Sequence, residues 1–401
     1  MQSWTNVETS LLPPAGRAVP GRVEELRAEW LTECLRHAQA IAEGARIASF
    51  ESTRIGEGHG FAGQIARLQL RYEPADAGPR TLIAKFVTEH APTREMISAV
   101  DGYVREVRFY RELAPDVGVP TPRCYLAHYD RAAGRFLLLL EDLAPASPVD
   151  IAVGLSVPQA ELVLEHLAAM HARWWNRVEE LPWLALTPEL IATIRERFHA
   201  ALPGFLQHRA ASHPTLARVA RRIAVIMADD QFVREVRRPP LTLAHNDIHL
   251  NNIFLPGEQG GRLALIDWQS VTASRHGITD VARLLSVGLT PELRRRHGRA
   301  LLRHYHRRLC ALGVRGYGRL LMKYRFRQEL VAIVIIVVLA FDTLDFGGAG
   351  GQRTAELMGA RIESAVADAH VIPLLELFAV WFGLRRWLRR WGVRLRLIGP
   401  G

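Results

Sequence analysis

Cysteine is scarce in this chain. Three cysteines in 401 residues, Cys34, Cys124 and Cys310, stand far apart, form no CxxC pair and cannot all be paired with one another. That excludes a zinc ribbon and a disulfide framework, and fits a reducing, cytoplasmic setting. Long apolar runs are missing too. The longest, Val331 to Phe341, falls well short of the roughly 20 residues a membrane-crossing helix needs, so it reads as a buried element of the core and no membrane span is expected. The amino terminus, MQSWTNVETSLLPPAGR, lacks the basic cluster, apolar stretch and small-residue cleavage site of a secretory signal. Fixed-period repeats and low-complexity segments are also absent, which leaves an ordinary globular chain.

The composition, 49% apolar and 23% charged, suits one large domain or two coupled lobes. A formal charge of +10 attracts anions, among them nucleotides, phosphorylated substrates, nucleic acid and acidic lipid, and does not choose between them. Much of the excess is arginine in Arg294 to Arg308 and Arg385 to Arg396, interleaved with leucine and tryptophan at helical spacing. These segments read as solvated helix faces. With no recognised reader motif, a nucleic-acid partner is not expected.

Hydrophobic spacing divides the chain into a strand-rich first part and a helix-rich second part. Val23, Leu26, Trp30, Cys34 and Ala38 recur in steps of three and four, which predicts a helix ahead of the first sheet. Ala66, Leu68, Leu70 and Tyr72 alternate with polar residues and predict a half-buried strand. TLIAKFV predicts another strand, Tyr103 to Leu113 a charged helix, and Phe136 to Glu141 a further strand. The strand leads into a proline-rich connection at Asp142 to Pro148.

Chemistry concentrates at Leu241 to Gln269, where two apolar strand-like segments flank a polar loop and a hairpin turn with Gly257, Gly260 and Gly261. Phosphoryl transfer from ATP needs a carboxylate beside the acceptor hydroxyl and oxygen ligands that hold magnesium against the phosphates. Asp247, Asn252 and Asp267 can supply these. A polar loop whose Asn and Asp side chains merely close turns is the plain alternative. The rest of the chain decides between them. Gly58, Gly60 and Gly63 stand in a G-x-G-x-x-G pattern followed by a strand, whereas a dinucleotide-binding turn would open a helix. Lys85 sits among apolar residues in a strand, where an ammonium reaching ATP phosphates belongs. A lysine so placed needs an anionic partner, and Glu106 on the next helix is the natural one.

In this order, His245-x-Asp247 with Asn252 after it and Asp267 on the next strand, the sequence resembles the aminoglycoside phosphotransferase and choline kinase group. From about Phe50 to about Arg325 it is most similar to the ecdysteroid-kinase-like branch, whose E-G-x-G-F-x-G loop matches Glu57 to Gly63. The resemblance implies an α+β, bilobal protein-kinase-like fold with a strand-rich N-lobe and a helix-rich C-lobe. Its parts would be an N-terminal helical extension over 1–48, the N-lobe over 49–141 and the C-lobe over 142–401. It implies ATP and Mg2+ as cofactors, Asp247 as the catalytic base and Asn252 and Asp267 as metal ligands. The backbone of Glu141 and Leu143 would meet the adenine edge, and Asp280 would brace the catalytic loop without doing chemistry. His245, with no third ligand near it in sequence, is expected to support the loop and not to hold a metal. Asp267-Trp268-Gln269 replaces the Asp-Phe-Gly of protein kinases and no Ala-Pro-Glu follows, so the expected acceptor is a small-molecule hydroxyl. The competing class is a catalytically silent nucleotide-binding module, which usually lacks one of these residues.

Overall fold

Helix α1 (Ala28–His37) carries Trp30, Leu31, Cys34 and Leu35 on one side, and all four are buried against the outer face of a sheet. The computed structural model that shows this describes residues 11–13, 18–55, 63–227, 237–258, 260–344, 348–373 and 375–376. The sheet holds β1 (Arg46–Ile55), β2 (Gly63–Glu73), β3 (Thr81–Val87), β4 (Cys124–Asp130) and β5 (Arg135–Glu141) in the order β1-β2-β3-β5-β4. Every neighbouring pair is antiparallel.

Successive side chains on a strand point to opposite faces. Ala66, Leu68, Leu70 and Tyr72 of β2, Leu82, Ala84 and Phe86 of β3, and Leu137 and Leu139 of β5 therefore pack toward α1. The intervening Ile83, Val87, Leu138 and Leu140 face a second, larger core. Lys85 shares that inner face by register, opposite Ile65 and Leu138. The middle of β5, Phe136 to Leu140, is a continuous apolar run because both of its faces are covered.

Helices α2 (Ala91–Ala99) and α3 (Gly102–Arg108) follow β3, and a further turn, Phe109–Leu113, continues α3. After the sheet the chain is mainly helical. α4 (Val157–Arg173) starts on a capping box, with Ser156 and Gln159 satisfying each other's backbone N–H. Thr187 caps α5 (Pro188–Arg209), and α6 (Pro214–Ile226) packs beside it. Short strands β6 (Ser147–Pro148), β7 (Leu241–Ala244), β8 (Ile253–Leu255), β9 (Ala264–Leu265) and β10 (Thr272–Arg275) frame the loop singled out by sequence. β8 pairs with β6 and β9, and β7 with β10. The expected hairpin turn closes where Gly257 and Gly260 exchange backbone bonds of 2.9 and 3.0 Å.

The last elements are α7 (Ile278–Arg283), α8 (Pro291–Ala311), α9 (Arg319–Thr343) and α10 (Ala349–Asp368). The apolar run from Val331 lies in α9, which packs against α5, α6, α7 and α10, as a helix apolar on most sides must. Among the described residues no helix is long and apolar enough to cross a membrane.

The sheet and the helical part are tied at several points. Buried Arg105 of α3 donates to Val271 O at 3.0 Å, and Thr93 of α2 donates to Thr343 O at 2.9 Å. Gly102 packs so closely that a Cβ there would lie 2.7 Å from Ile97 and 3.5 Å from Gln269 O. Beyond the sheet, Asp142 accepts from Arg67 Nε at 2.7 Å, which fixes the proline-rich connection to β2.

Candidate active site

The loop after β7 is shaped by one buried carboxylate. Asp280, in the first turn of α7, accepts His245 N at 2.9 Å on one oxygen and Asn246 N at 2.7 Å on the other. His171 Nε2 lies 3.1 Å from the same carboxylate and its Nδ1 2.9 Å from the Tyr305 hydroxyl, so α4 and α8 hold Asp280 in turn. Pulling two successive N–H groups onto one side chain needs a sharp bend. Asn246 makes it at φ +61, a left-handed conformation that asparagine tolerates better than most residues. Its amide also bonds Ser270 O at 3.1 Å and Thr272 Oγ1 at 2.7 Å.

His245 supports the loop from within. Its Nδ1 accepts Asp247 N at 3.2 Å and its Nε2 donates to Ile266 O at 2.9 Å, which fixes the tautomer. Burial lowers its pKa, so the ring stays neutral.

Asp247 projects from this frame. Arg283 Nη1 lies 3.3 Å from Oδ1, and His249 Nε2 lies 3.7 Å from Oδ2. Burial alone would raise the carboxyl, but His249 and Arg283 outweigh it and hold it well below the ordinary carboxylate range. Asn252 Nδ2 donates to Asp247 O at 3.0 Å and lies 3.0 Å from His249 Nε2. Its Oδ1 therefore turns the other way, buried and without a hydrogen-bond partner.

Ile266 N donates to Asn252 O at 3.1 Å, which brings the strand carrying Asp267 alongside. Asp267, at φ +64, turns its Oδ1 to Lys85 Nζ at 2.9 Å. The ammonium also bonds both oxygens of Glu106, at 2.8 and 2.9 Å. Burial works against the charged lysine, yet Asp267 and Glu106 together hold its pKa above normal. Burial pushes Glu106 up, because two carboxylates share one ammonium away from water. Behind this triad Trp268 stacks on Phe109, with centroids 3.9 Å apart and planes 6° from parallel, and its Nε1 donates to Leu265 O.

The residues predicted from sequence thus fall into two groups. Lys85, Glu106, Asp247, Asn252 and Asp267 converge. Gly63 opens β2 opposite Val87, whereas Gly58 and Gly60 lie outside the described residues. Glu141 ends β5, its N–H on Arg123 O at 2.8 Å, and Leu143 is buried just beyond. Sequence reasoning did not single out Arg283. It stands three residues after Asp280, hence on the same helix face, so α7 delivers one side chain to the loop backbone and another to Asp247. Lys85 carries a signal beyond its strand context, since the chain has only two lysines, Lys85 and Lys323, among its 51 basic residues.

Among the described residues no three His, Cys, Asp or Glu side chains gather to hold a metal. Magnesium does not require such a cluster, since it binds through one or two carboxylates, substrate phosphates and water. The residues present fit it. Asp267 offers a carboxylate, and the orphaned Oδ1 of Asn252 is a hard acceptor awaiting a partner.

Comparison with known proteins identifies the family and the fold. The sequence model of the ecdysteroid kinase-like family matches residues 57–313. An uncharacterized kinase-like protein of Caenorhabditis elegans is 28% identical over 218 residues, 50% of this chain and 55% of that protein. The chain thus spans about half the length of that relative. Among solved structures, choline kinase from Cryptosporidium parvum superposes with a TM-score of 0.52 at 12% identity, covering 87% of this chain and 98% of that one. The Plasmodium vivax ethanolamine kinase gives 0.47 at 10% identity, covering 82% and 83%. The choline kinase likeness is one of fold, with a strand-rich first part and a helical second part.

Proposed function

The chain belongs to the ecdysteroid kinase-like family, and from that membership and the geometry around Asp247 we propose that it transfers the γ-phosphate of ATP, with magnesium, to a hydroxyl group of a small molecule. The observation that carries this reading is the convergence of Glu106 and Asp267 on the Lys85 ammonium, each within 2.9 Å of Nζ, beside an Asn252 oxygen that is buried and unpaired. An unsatisfied buried oxygen costs about 1–3 kcal/mol, a cost that a cation bound between Asn252 and Asp267 would offset.

Asp247 receives the acceptor hydroxyl. Arg283 engages Oδ1 at 3.3 Å, while His249 Nε2 stands 3.7 Å from Oδ2, beyond hydrogen-bond reach, so Oδ2 is the oxygen that can take the incoming hydroxyl proton. Arg283 also keeps the carboxylate ionised and fixed in direction, which makes it a positioning residue. The resulting base is weak, and that suits a loose transition state in which alignment matters more than proton abstraction. Lys85, steadied by Glu106, neutralises the nucleotide phosphates. Asn252 and Asp267 would hold magnesium, which when bound offsets charge on the phosphate oxygens. Gly58, Gly60 and Gly63 would cover the phosphates, and the backbone of Glu141 and Leu143 would meet the adenine. The three free cysteines support a cytoplasmic setting.

The test is magnesium-dependent transfer from ATP to a panel of alcohols, sterols, sugars, amino alcohols and antibiotics, read by product mass, with Asp247→Asn as control. A product absent from the control supports the reading and names the acceptor class. ATP binding with no transfer, to any acceptor or to water, points to the silent nucleotide-binding module instead.

A further inference from the structure

Helix α8 has two unlike faces. Leu301, Leu302, Tyr305 and Leu309 turn inward, buried against α4, where the Tyr305 hydroxyl reaches His171. On the opposite side Arg296, Arg299, Arg303 and Arg307 recur in steps of three and four, which sets them in one stripe. All four are exposed, and among the described residues none pairs with a carboxylate, whereas the neighbouring Arg294 and Arg295 share Asp368. The stripe runs into the connection to α9, which carries Arg315, and Arg319 opens α9.

That connection is also where apolar side chains stand in water. Of the eight large apolar residues exposed among the described residues, three stand at the two ends of this connection: Leu312 at 43%, Leu320 at 83% and Leu321 at 37%. Lone exposed leucines are ordinary. Three of them beside a run of unpaired arginines make a different surface. A polyanion such as nucleic acid would answer the guanidinium groups and leave the leucines in water. An interface of acidic lipid headgroups over acyl chains answers both.

We propose that the outer edge of α8 and the α8–α9 connection dock this protein on a membrane surface rich in acidic lipid. The arginines lie among the headgroups, and Leu312, Leu320 and Leu321 dip into the interface. Docking there leaves the inner face of α8 on α4, with Tyr305 still holding His171.

The experiment is co-sedimentation of the full chain with vesicles of phosphatidylcholine alone and with about one third phosphatidylserine, at low and high salt. Two variants accompany it, the triple Arg299→Gln/Arg303→Gln/Arg307→Gln and the single Leu320→Ser. These side chains are exposed, so the fold is expected to survive, and circular dichroism checks that it does. The chain should bind the acidic vesicles only, and less as salt rises. The triple variant should lose about 100-fold in partitioning, about fivefold for each charge removed, and Leu320→Ser a few-fold. Failure to bind acidic vesicles at low salt overturns the proposal. So does a triple variant that binds as wild type, which would assign binding to the basic segment Arg385 to Arg396. If Leu320→Ser has no effect and a single-stranded oligonucleotide displaces the vesicles, the surface is one for nucleic acid and the proposal falls.

Discussion

At the scale of single residues, the Asp247 carboxylate is the group on which the proposed transfer turns. Asp247→Asn removes the group that aligns the acceptor hydroxyl and takes its proton, and should lower turnover roughly 100-fold to 10,000-fold, while a titration still finds Mg-ATP bound. Arg283 tests the division of labour between the two carboxylate oxygens. A hydrogen bond to a charged group contributes about 1.5–3 kcal/mol, so Arg283→Gln should cut kcat by about 10-fold to 100-fold with little change in KM for ATP. Arg283→Lys should fall between the two. Equal kcat in all three proteins would remove Arg283 from the mechanism. The residues of this site were unequally legible. Lys85 stands out as an ammonium on an apolar strand of a chain whose basic residues, Lys323 apart, are otherwise arginine, and Asp247 and Asn252 stand in a recognisable spacing. Arg283 is one of many arginines with no spacing signal, and its meaning comes from α7 bringing it to 3.3 Å of Asp247.

At the scale of elements, α9 lends itself to a test of pH. Burial raises the Glu329 carboxyl from 4.5 to about 7, against the nearby Thr279 and Arg283, which favour its charged form. An acid whose folded pKa exceeds its unfolded one binds its proton more tightly when folded, so its ionisation opposes folding. Its contribution is most favourable below pH 4.5 and declines as pH rises through about 7. Glu329→Gln should therefore flatten the fall in thermal stability between those limits and gain about 1–3 kcal/mol on wild type at pH 8. Melting curves across pH decide it, and parallel curves would exclude a raised Glu329. Sequence spacing finds the elements whose burial is regular. β2 shows because Ala66, Leu68, Leu70 and Tyr72 alternate into the core under α1. β1 escapes because only Ile47 is buried along its ten residues, the rest lying partly or fully exposed at the sheet edge. The helix at Tyr103 is legible in outline, but its widening into a looser turn at Phe109–Leu113 is not, because residue spacing carries no signal for it; Phe109, at its start, stacks on Trp268, remote in the chain.

At the scale of the whole molecule, a nucleotide held between sheet and helices should stabilise both. Saturating Mg-ATP at about 100 times Kd adds about 2.7 kcal/mol, which in a chain of this size should raise Tm by a few degrees. Chelating the metal should remove most of that gain, and so should Asn252→Ala/Asp267→Ala. A shift unaffected by chelation would argue against magnesium at these residues. The division into a strand-rich first part and a helical second part is visible in the sequence, since it follows from period alone. The bonds that join the parts are not, because Arg105 with Val271 and Thr93 with Thr343 are pairs remote in the chain. Those bonds have a consequence for control. In protein kinases, the placement of the glutamate-bearing helix is what activation governs. Here that helix is fastened by a buried guanidinium, and Gly102 nestles against the segment after Asp267, so swinging it outward would strand polar groups in the core. If the chain transfers phosphate as proposed, a helix fastened this way would keep Glu106 on Lys85 without an activating event.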